Sequence, residues 1–277
     1  MSLKLMYITN NADVAKIAEN FGIDRIFVDL EYLGKDLRQG GMDTVQNHHT
    51  ANDIRNIKSV LSKAELVVRV NPIHDKIGEV ISSEEEIDVV IDNGADIIML
   101  PFFKTANEVE RFITAVNGRA KTMLLFETAE SVENIDEILN IDGIDEVYIG
   151  LNDLSLSYRH KFLFVPLIDG TVEKLIEKFK EKNLPYGFGG IASLGKGDLP
   201  SDNIIPEHLR LGSSSVILSR SFCNSEKCKS NDEIARLFKI GVKQIRNYEN
   251  LCLSKAEVFF KENREIVIEI INQICEE

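Results

Sequence analysis

Apolar residues recur along this chain in two alternating rhythms. Short, almost unbroken apolar runs such as "LKLMYIT" (3–9), "RIFVDLE" (25–31), "ELVVRVNP" (65–72) and "DIIMLP" (96–101) have the length of buried strands. Between them, apolar positions fall three and four apart, as in "TANEVERFITAVNG" (105–118), which predicts helices with one buried face. The alternation continues with strands over 121–127, 144–150, 184–192 and 213–220, and helices over 11–22, 52–61, 84–95, 128–139 and 171–182. Asn11 is placed to cap the first helix, and Gly22 and Gly94 to end the first and third.

Strands alternating with helices specify a parallel sheet. Eight such units, spread over about 220 residues, predict an α/β fold of the closed (β/α)8 type, the TIM barrel, near its usual size. A doubly wound open sheet is the competing arrangement, but it carries a glycine-rich phosphate turn after its first strand, and "YITNNADVAK" has none. Beyond residue 220 the pattern predicts two helices, over 231–248 and 254–274, one more than a barrel needs. The extra C-terminal helix is apolar through Val267, Ile268, Ile270, Ile271 and Ile274, so it either folds back over its own barrel or packs on a partner subunit. Residues 1–277 are read as one barrel domain, with 223–277 forming C-terminal helices at the interface of a homo-oligomer.

Composition narrows the function. Hydrophobic content of 44% and charged content of 28% are those of an ordinary soluble protein, and charges interrupt every apolar run before it reaches a membrane span. "MSLKLMYITNN" enters a strand pattern at once without a signal-peptide core, which makes the cytoplasm the expected compartment. A net charge of −13 argues against a nucleic-acid partner, which needs a positive footprint. Cys223, Cys228, Cys252 and Cys275 fit no zinc-ligand spacing and read as free thiols.

In (β/α)8 barrels the chemistry sits at the C-terminal ends of the strands. Strand two ends in Asp29 and Glu31, which leave an extended chain on the same face. Strand three carries Arg69 inside an apolar run, strand five ends in Glu127, and strand six runs through Gly150 into Asn152 and Asp153. Singly, such an acid also serves as a helix cap, and such an arginine as a structural ion pair. Together they suit a hard divalent cation such as Mg²⁺ or Mn²⁺, with an arginine to meet a carboxylate or an enolate oxygen.

"LLFETAESVENIDEIL" followed by "GIDEVYIGLNDLSLSY" resembles the metal-binding signature of the HpcH/HpaI aldolase and citrate lyase family, and "FVDLE" and "VVRVNP" fall where that family has its other two site motifs. The resemblance covers residues from about 25 to 160 and implies a pyruvate-type, metal-dependent barrel. It matches Glu127 and Asp153 to the metal ligands and Arg69 to the arginine on the substrate's keto or enolate oxygen. It matches the backbone N–H groups of Asn152 and Asp153 to the seat of the substrate carboxylate, and Asp29 to an acid that orients the catalytic water or base. The implied reaction is reversible carbon–carbon cleavage on a small 2-oxo acid or hydroxy acid, through a pyruvate-like enolate.

Aldolases of the family read Asp-x-Glu-His after strand two, the histidine acting in proton transfer; Tyr32 stands at that place here and joins Asp29 and Arg69 in the expected catalytic group. A phenol with a pKa near 10 is a poor base at neutral pH. A water or another side chain takes that role, or the reaction differs; the loop offers His48 and His49, which could fold over the mouth but read first as solvated residues. Leu125 replaces a glutamine common in the aldolases, and Leu151 and Asn152 replace Pro-Ala, so the substrate shell is expected to differ. The glycines of "YGFGGIASLGKGDLP" and the serines of "LGSSS" suit a phosphate or plain turns. A citrate-lyase-like or malyl-CoA-lyase-like enzyme acting on a CoA thioester is the second reading, though that branch opens with an Arg-Ser-x-Leu-x-x-Pro stretch absent here. A catalytically idle barrel that binds a small acid is the third.

Overall fold

Eight parallel strands pair in chain order, and the last returns to the first: β1 (Lys4–Ile8), β2 (Arg25–Asp29), β3 (Glu65–Arg69), β4 (Ile97–Leu100), β5 (Lys121–Phe126), β6 (Glu146–Ile149), β7 (Tyr186–Ile191) and β8 (Ser215–Leu218). The computed structural model describes residues 2–34 and 49–276. Around the barrel run α1 (Ala12–Asn20), α2 (Ala51–Val60), α3 (Ser83–Asp92), α4 (Ala106–Val116), α5 (Ala129–Glu133), α6 (Ile135–Ile138), α7 (Leu151–Ser157), α8 (Thr171–Glu181) and α9 (Ser201–Leu211). Two longer helices follow, α10 (Asn231–Leu253) and α11 (Glu257–Glu276). The TIM barrel expected from the periodicity is the observed fold.

Side chains alternate across each strand, so every second residue enters the barrel and the others meet the helices. Met6, Phe27, Val67, Ile97, Met99, Met123, Leu125 and Tyr148 form a separate apolar cluster that fills the lumen. The larger core, including Ile26, Val28, Leu66, Val68, Ile98 and Leu124, lies between strands and helices. Below the lumen cluster, fully buried Arg25 of β2 donates twice to Glu146 of β6, at 2.8 and 2.6 Å, and once to Glu65 of β3 at 3.0 Å. β2 and β6 are not neighbours in the sheet, so this pair spans the barrel floor.

The seam between β7 and β8 depends on a side chain. Their register shifts between Gly187 and Gly190. The Tyr148 hydroxyl enters the gap, donating to the Gly189 carbonyl at 2.6 Å and accepting the Ile217 N–H at 2.9 Å. A Cβ on Gly187 would lie 2.5 Å from the Tyr148 ring, so only glycine admits the wedge.

Three elements differ from the sequence reading. The helix expected over 128–139 breaks at Asn134 into α5 and α6. The last strand-end residues, Glu31 and Glu127 among them, leave the ladder and belong to the loops above it. Helix α9 was not anticipated because Pro206 lies inside it. Proline has no N–H to give the carbonyl four residues back; here that carbonyl, Asp202, accepts the Tyr248 hydroxyl of α10 at 2.8 Å. Helix α11 lies on α9 of its own chain, with Val267 and Ile271 fully buried. Asn263 exchanges hydrogen bonds with Asn203, and Arg264 donates to Glu173 at 2.8 Å and to the Leu167 carbonyl at 2.6 Å.

Tyr248→Phe should therefore cost about 1 kcal/mol in chemical denaturation. Adding Pro206→Ala to Tyr248→Phe should recover part of that loss, because alanine restores the N–H that the Asp202 carbonyl lacks. Additive effects of the two substitutions would show that the hydroxyl and the missing N–H do not share the carbonyl.

Glu19 generates a pH dependence. Burial alone would raise its pKa, but the N–H groups of Ala64, Lys63 and Ser62 on its carboxylate and the Lys16 ammonium take it from 4.5 down to about 2. The folded value lies below the unfolded one, so the contribution is complete above pH 4.5 and is lost as pH falls towards 2. The shift corresponds to about 3 kcal/mol. Acid unfolding of Glu19→Gln, compared with the parent, should show a shallower stability loss across that window.

Candidate active site

A cavity of about 700 Å³ opens at the C-terminal ends of the strands. Strand parity sets what faces it. Phe27 and Val67 point into the lumen, so Asp29 and Arg69, two residues further on, point to its upper rim. The same step leads from Leu125 to Glu127 and from Tyr148 to Gly150. Asp29, Arg69, Glu127, Gly150, Asn152 and Asp153 all line this cavity, so the residues predicted from separate strands meet at one mouth.

Arg69 organises one side. Its Nε and Nη2 each donate to Asp29 at 2.8 Å, a bidentate pair, and its Nη1 lies 3.3 Å from Glu31. The guanidinium carbon also sits 5.7 Å from the centre of the Phe27 ring. Burial alone would lower the Arg69 pKa, but Asp29, Glu31 and Glu127 hold it well above its ordinary value, so the cation is permanent. Asp29 and Glu31 share a face, as their spacing required, and the Asp29 carboxylate is committed to the arginine. Asn71, at the exit of β3, fixes the loop above them: its Oδ1 accepts the N–H groups of Tyr32 and Leu33, each at 2.9 Å, and its amide donates to buried Glu86 at 2.8 Å.

Glu127 forms the other side, almost fully buried. Its Oε1 accepts the backbone N–H of Phe102 at 3.0 Å. Phe102 delivers that N–H from a left-handed backbone conformation, φ 50°, unusual for a non-glycine residue. A Cβ on Gly150 would lie 2.6 Å from Glu127 Oε2, so glycine is what lets β6 approach the carboxylate. Asp153 is also buried, in the first turn of α7, and among the described residues no side chain caps that helix. Two buried carboxylates on one cavity, with room for water and substrate oxygens, match the all-oxygen preference of a hard divalent cation. Among the described residues no group of three or more His, Cys, Asp or Glu is arranged to hold a metal.

Tyr32 falls elsewhere. It lies in the loop beyond β2, is 54% exposed, and does not line the cavity. Its backbone N–H is held by Asn71. His49 does line the cavity, and its Nδ1 accepts the Asp29 backbone N–H at 3.0 Å. His48 lies outside the described residues. The Gly/Ser-rich stretches contribute Gly189 and Gly190 to the wall, and the loop after β8 adds Ser219, Arg220, Cys223 and Ser225. All four cysteines are free thiols, and burial pushes Cys223 up to about 11. Sequence reasoning missed Phe102, Asn71 and Tyr148; of these only Asn71, in the "VNP" turn, carried a local signal.

The HpcH/HpaI aldolase/citrate lyase family matches residues 4–162, more than half of the chain, and the chain belongs to that family of carbon–carbon lyases. A hydroxypyruvate/pyruvate aldolase of Roseobacter denitrificans is 25% identical over 190 residues, covering 56% of this chain and 72% of the relative. A 2-keto-3-deoxy-L-rhamnonate aldolase of Escherichia coli is 23% identical over 223 residues, covering 69% of this chain and 76% of the relative. Among solved structures, an HpcH/HpaI aldolase/citrate lyase family protein from Burkholderia cenocepacia superposes with a TM-score of 0.62 at 14% identity, over 88% of this chain and 94% of the other. No helix of the described residues is long and apolar enough to cross a membrane.

Gly150→Ala tests the close approach at Glu127. The added methyl must displace the carboxylate, so Mn²⁺ affinity should fall by about 10-fold or more, in the range of a perturbed ligand environment. Thermal stability and the circular dichroism spectrum should change little by comparison. Unaltered Mn²⁺ binding in calorimetry would show that the carboxylate is not held by that contact.

Proposed function

We propose that the chain is a metal-dependent aldolase that makes and breaks the bond between C3 of a 2-oxo acid and an aldehyde carbon. The observation that carries this reading is one cavity that holds a permanent arginine cation, clamped by Asp29, together with buried Glu127 and Asp153. Glu127 and Asp153 would hold Mg²⁺ or Mn²⁺, which when bound supplies Lewis-acid polarisation of the 2-oxo group. Arg69 carries five N–H groups; Asp29 takes one from Nε and one from Nη2, and Glu31 lies 3.3 Å from Nη1, so one N–H on each of Nη1 and Nη2 remains for an oxygen gaining enolate charge. Asp29 acts by holding that guanidinium in place. The start of α7, with no side-chain cap among the described residues, offers the N–H groups of Asn152 and Asp153 to the substrate carboxylate. Lys229, exposed at the mouth, is the lysine lining the cavity among the described residues, so a buried amine for Schiff-base chemistry is not on offer there. Association of copies belongs to this proposal too, through the exposed stripe Leu237, Ile240 and Leu251 of α10.

Oxaloacetate decarboxylation with added Mg²⁺ or Mn²⁺ tests the reading without knowledge of the aldehyde. The parent should be active, Arg69→Ala should lose about 10²–10³-fold in kcat, and Glu127→Ala and Asp153→Ala should lose metal-stimulated activity. Activity that survives chelation, or persists in Glu127→Ala, would overturn it.

A further inference from the structure

Cys223 and Cys228 both line the active cavity, in the loop that follows β8. A short 3₁₀ turn over Ser225–Lys227 joins them. It is closed by the Lys227 N–H on the Asn224 carbonyl at 3.1 Å and the Cys228 N–H on the Ser225 carbonyl at 3.3 Å. That turn brings the two side chains back to one place. Burial first, and the Cys228 thiol after it, push the Cys223 pKa up to about 11, so each sulfur is the other's neighbour. Burial raises the Tyr7 pKa and both sulfurs add to it, which sets them around a single phenol.

The two sulfurs are held differently. Cys223 is buried, and its carbonyl accepts the Tyr7 hydroxyl at 3.1 Å, while the Phe222 carbonyl accepts the Ser193 hydroxyl at 3.3 Å. Cys228 is half-buried between exposed Lys227 and Lys229, against one acid in the turn, Glu226. Its thiol donates to the Asn224 carbonyl at 3.4 Å, within its own turn. A partly exposed thiol in positive surroundings is the one that an anionic oxidant meets first. Cys252 and Cys275 lie on α10 and α11 and are not part of the cavity wall.

We infer that Cys223 and Cys228 are a disulfide-forming pair through which a small anionic disulfide, such as oxidised glutathione, resets the β8 wall of the active cavity. In the first step the Cys228 sulfur gives its proton to water and attacks one sulfur of the small disulfide, releasing one small thiolate. The Cys223 sulfur then loses its proton, attacks the Cys228 sulfur and expels the second small thiolate. The two thiolates take up the two protons, so the cysteines lose two electrons and the small disulfide gains them. The second step is the slower one, because Cys223 is mostly thiol at neutral pH. A bridge across so short a turn at the surface is of the labile kind, which makes the change reversible. Joining the sulfurs takes Cys228 off the Asn224 carbonyl and draws in the turn that carries Asn224 and Ser225 on the cavity wall. Arg69 and Glu127 rise from β3 and β5 and are not attached to that turn.

The test treats the folded full chain with oxidised glutathione, alkylates the remaining thiols and maps a tryptic digest by mass. Trypsin cuts after Lys227, between the two cysteines, so the bridged peptides stay joined only through sulfur. The parent should yield the Cys223–Cys228 bridge, reversed by dithiothreitol. Cys223→Ser should stop at a glutathione adduct on Cys228, and Cys228→Ser should leave Cys223 a thiol. In oxaloacetate decarboxylation the bridged parent should show a KM raised about 3- to 10-fold, the worth of one hydrogen bond, with kcat little changed. Cys228→Ser should not respond to the oxidant. No bridge in the parent, whether its cysteines stay thiols or Cys228 keeps its glutathione, overturns the pairing. An unchanged KM in the bridged protein overturns its effect on the cavity. The KM arm rests on the aldolase reading; inactivity of the reduced parent defeats that reading instead, and the peptide map decides the pairing apart from it.

Discussion

Everything in this barrel follows from the two-residue repeat of side chains along strands that close on themselves. A strand that enters the floor with a charge and crosses the lumen with an apolar side chain must offer its next inward residue to the mouth. β2 does this as Arg25, Phe27, Asp29; β3 as Glu65, Val67, Arg69; β6 as Glu146, Tyr148, Gly150. The lumen is therefore layered: a charged floor centred on the Arg25–Glu146 pair, an apolar belt, and a charged rim. The belt keeps the two polar layers apart, so each must satisfy its charges internally. Breaking a buried pair at either level would leave a charge without compensation, at a cost of about 3–5 kcal/mol.

That layering explains why so much was legible in the chain alone. The strands announced themselves as apolar runs, and Asp29, Arg69 and Glu127 stood out as charges at their ends. Tyr32 falls where a family histidine stands in sequence, yet the ladder ends at Asp29 and in the loop beyond it this residue turns to solvent. His49 was visible only as one of two loop histidines, and Phe102 not at all, for a different reason. Each meets the site through a tertiary approach, an imidazole against the N–H of a residue 20 positions earlier and an amide turned towards Glu127 by a left-handed backbone. Helix α9 stayed hidden because a proline inside a helix is locally unfavourable, and its compensation comes from a tyrosine in another helix.

At the rim, electrostatics and shape are arranged together. Arg69 is held by two carboxylates and a ring face, which settles both its charge and its direction. Glu127 is held by one backbone N–H and by the absence of a side chain at Gly150. Preorganisation of this kind removes the need to reorient dipoles when charge develops.

The Arg25–Glu146 pair also bears on how the chain could be divided. A cut between α4 and β5 gives a front half with Asp29, Glu31 and Arg69 and a rear half with Glu127, Asp153 and the whole Tyr148 seam. The rear half keeps its own stitching, but neither piece owns a complete mouth. Two ladders, β4 with β5 and β8 with β1, would join the pieces, and at the floor an arginine of one meets a glutamate of the other. That pair lies across the lumen from the mouth and would help two fragments find the register that rebuilds it.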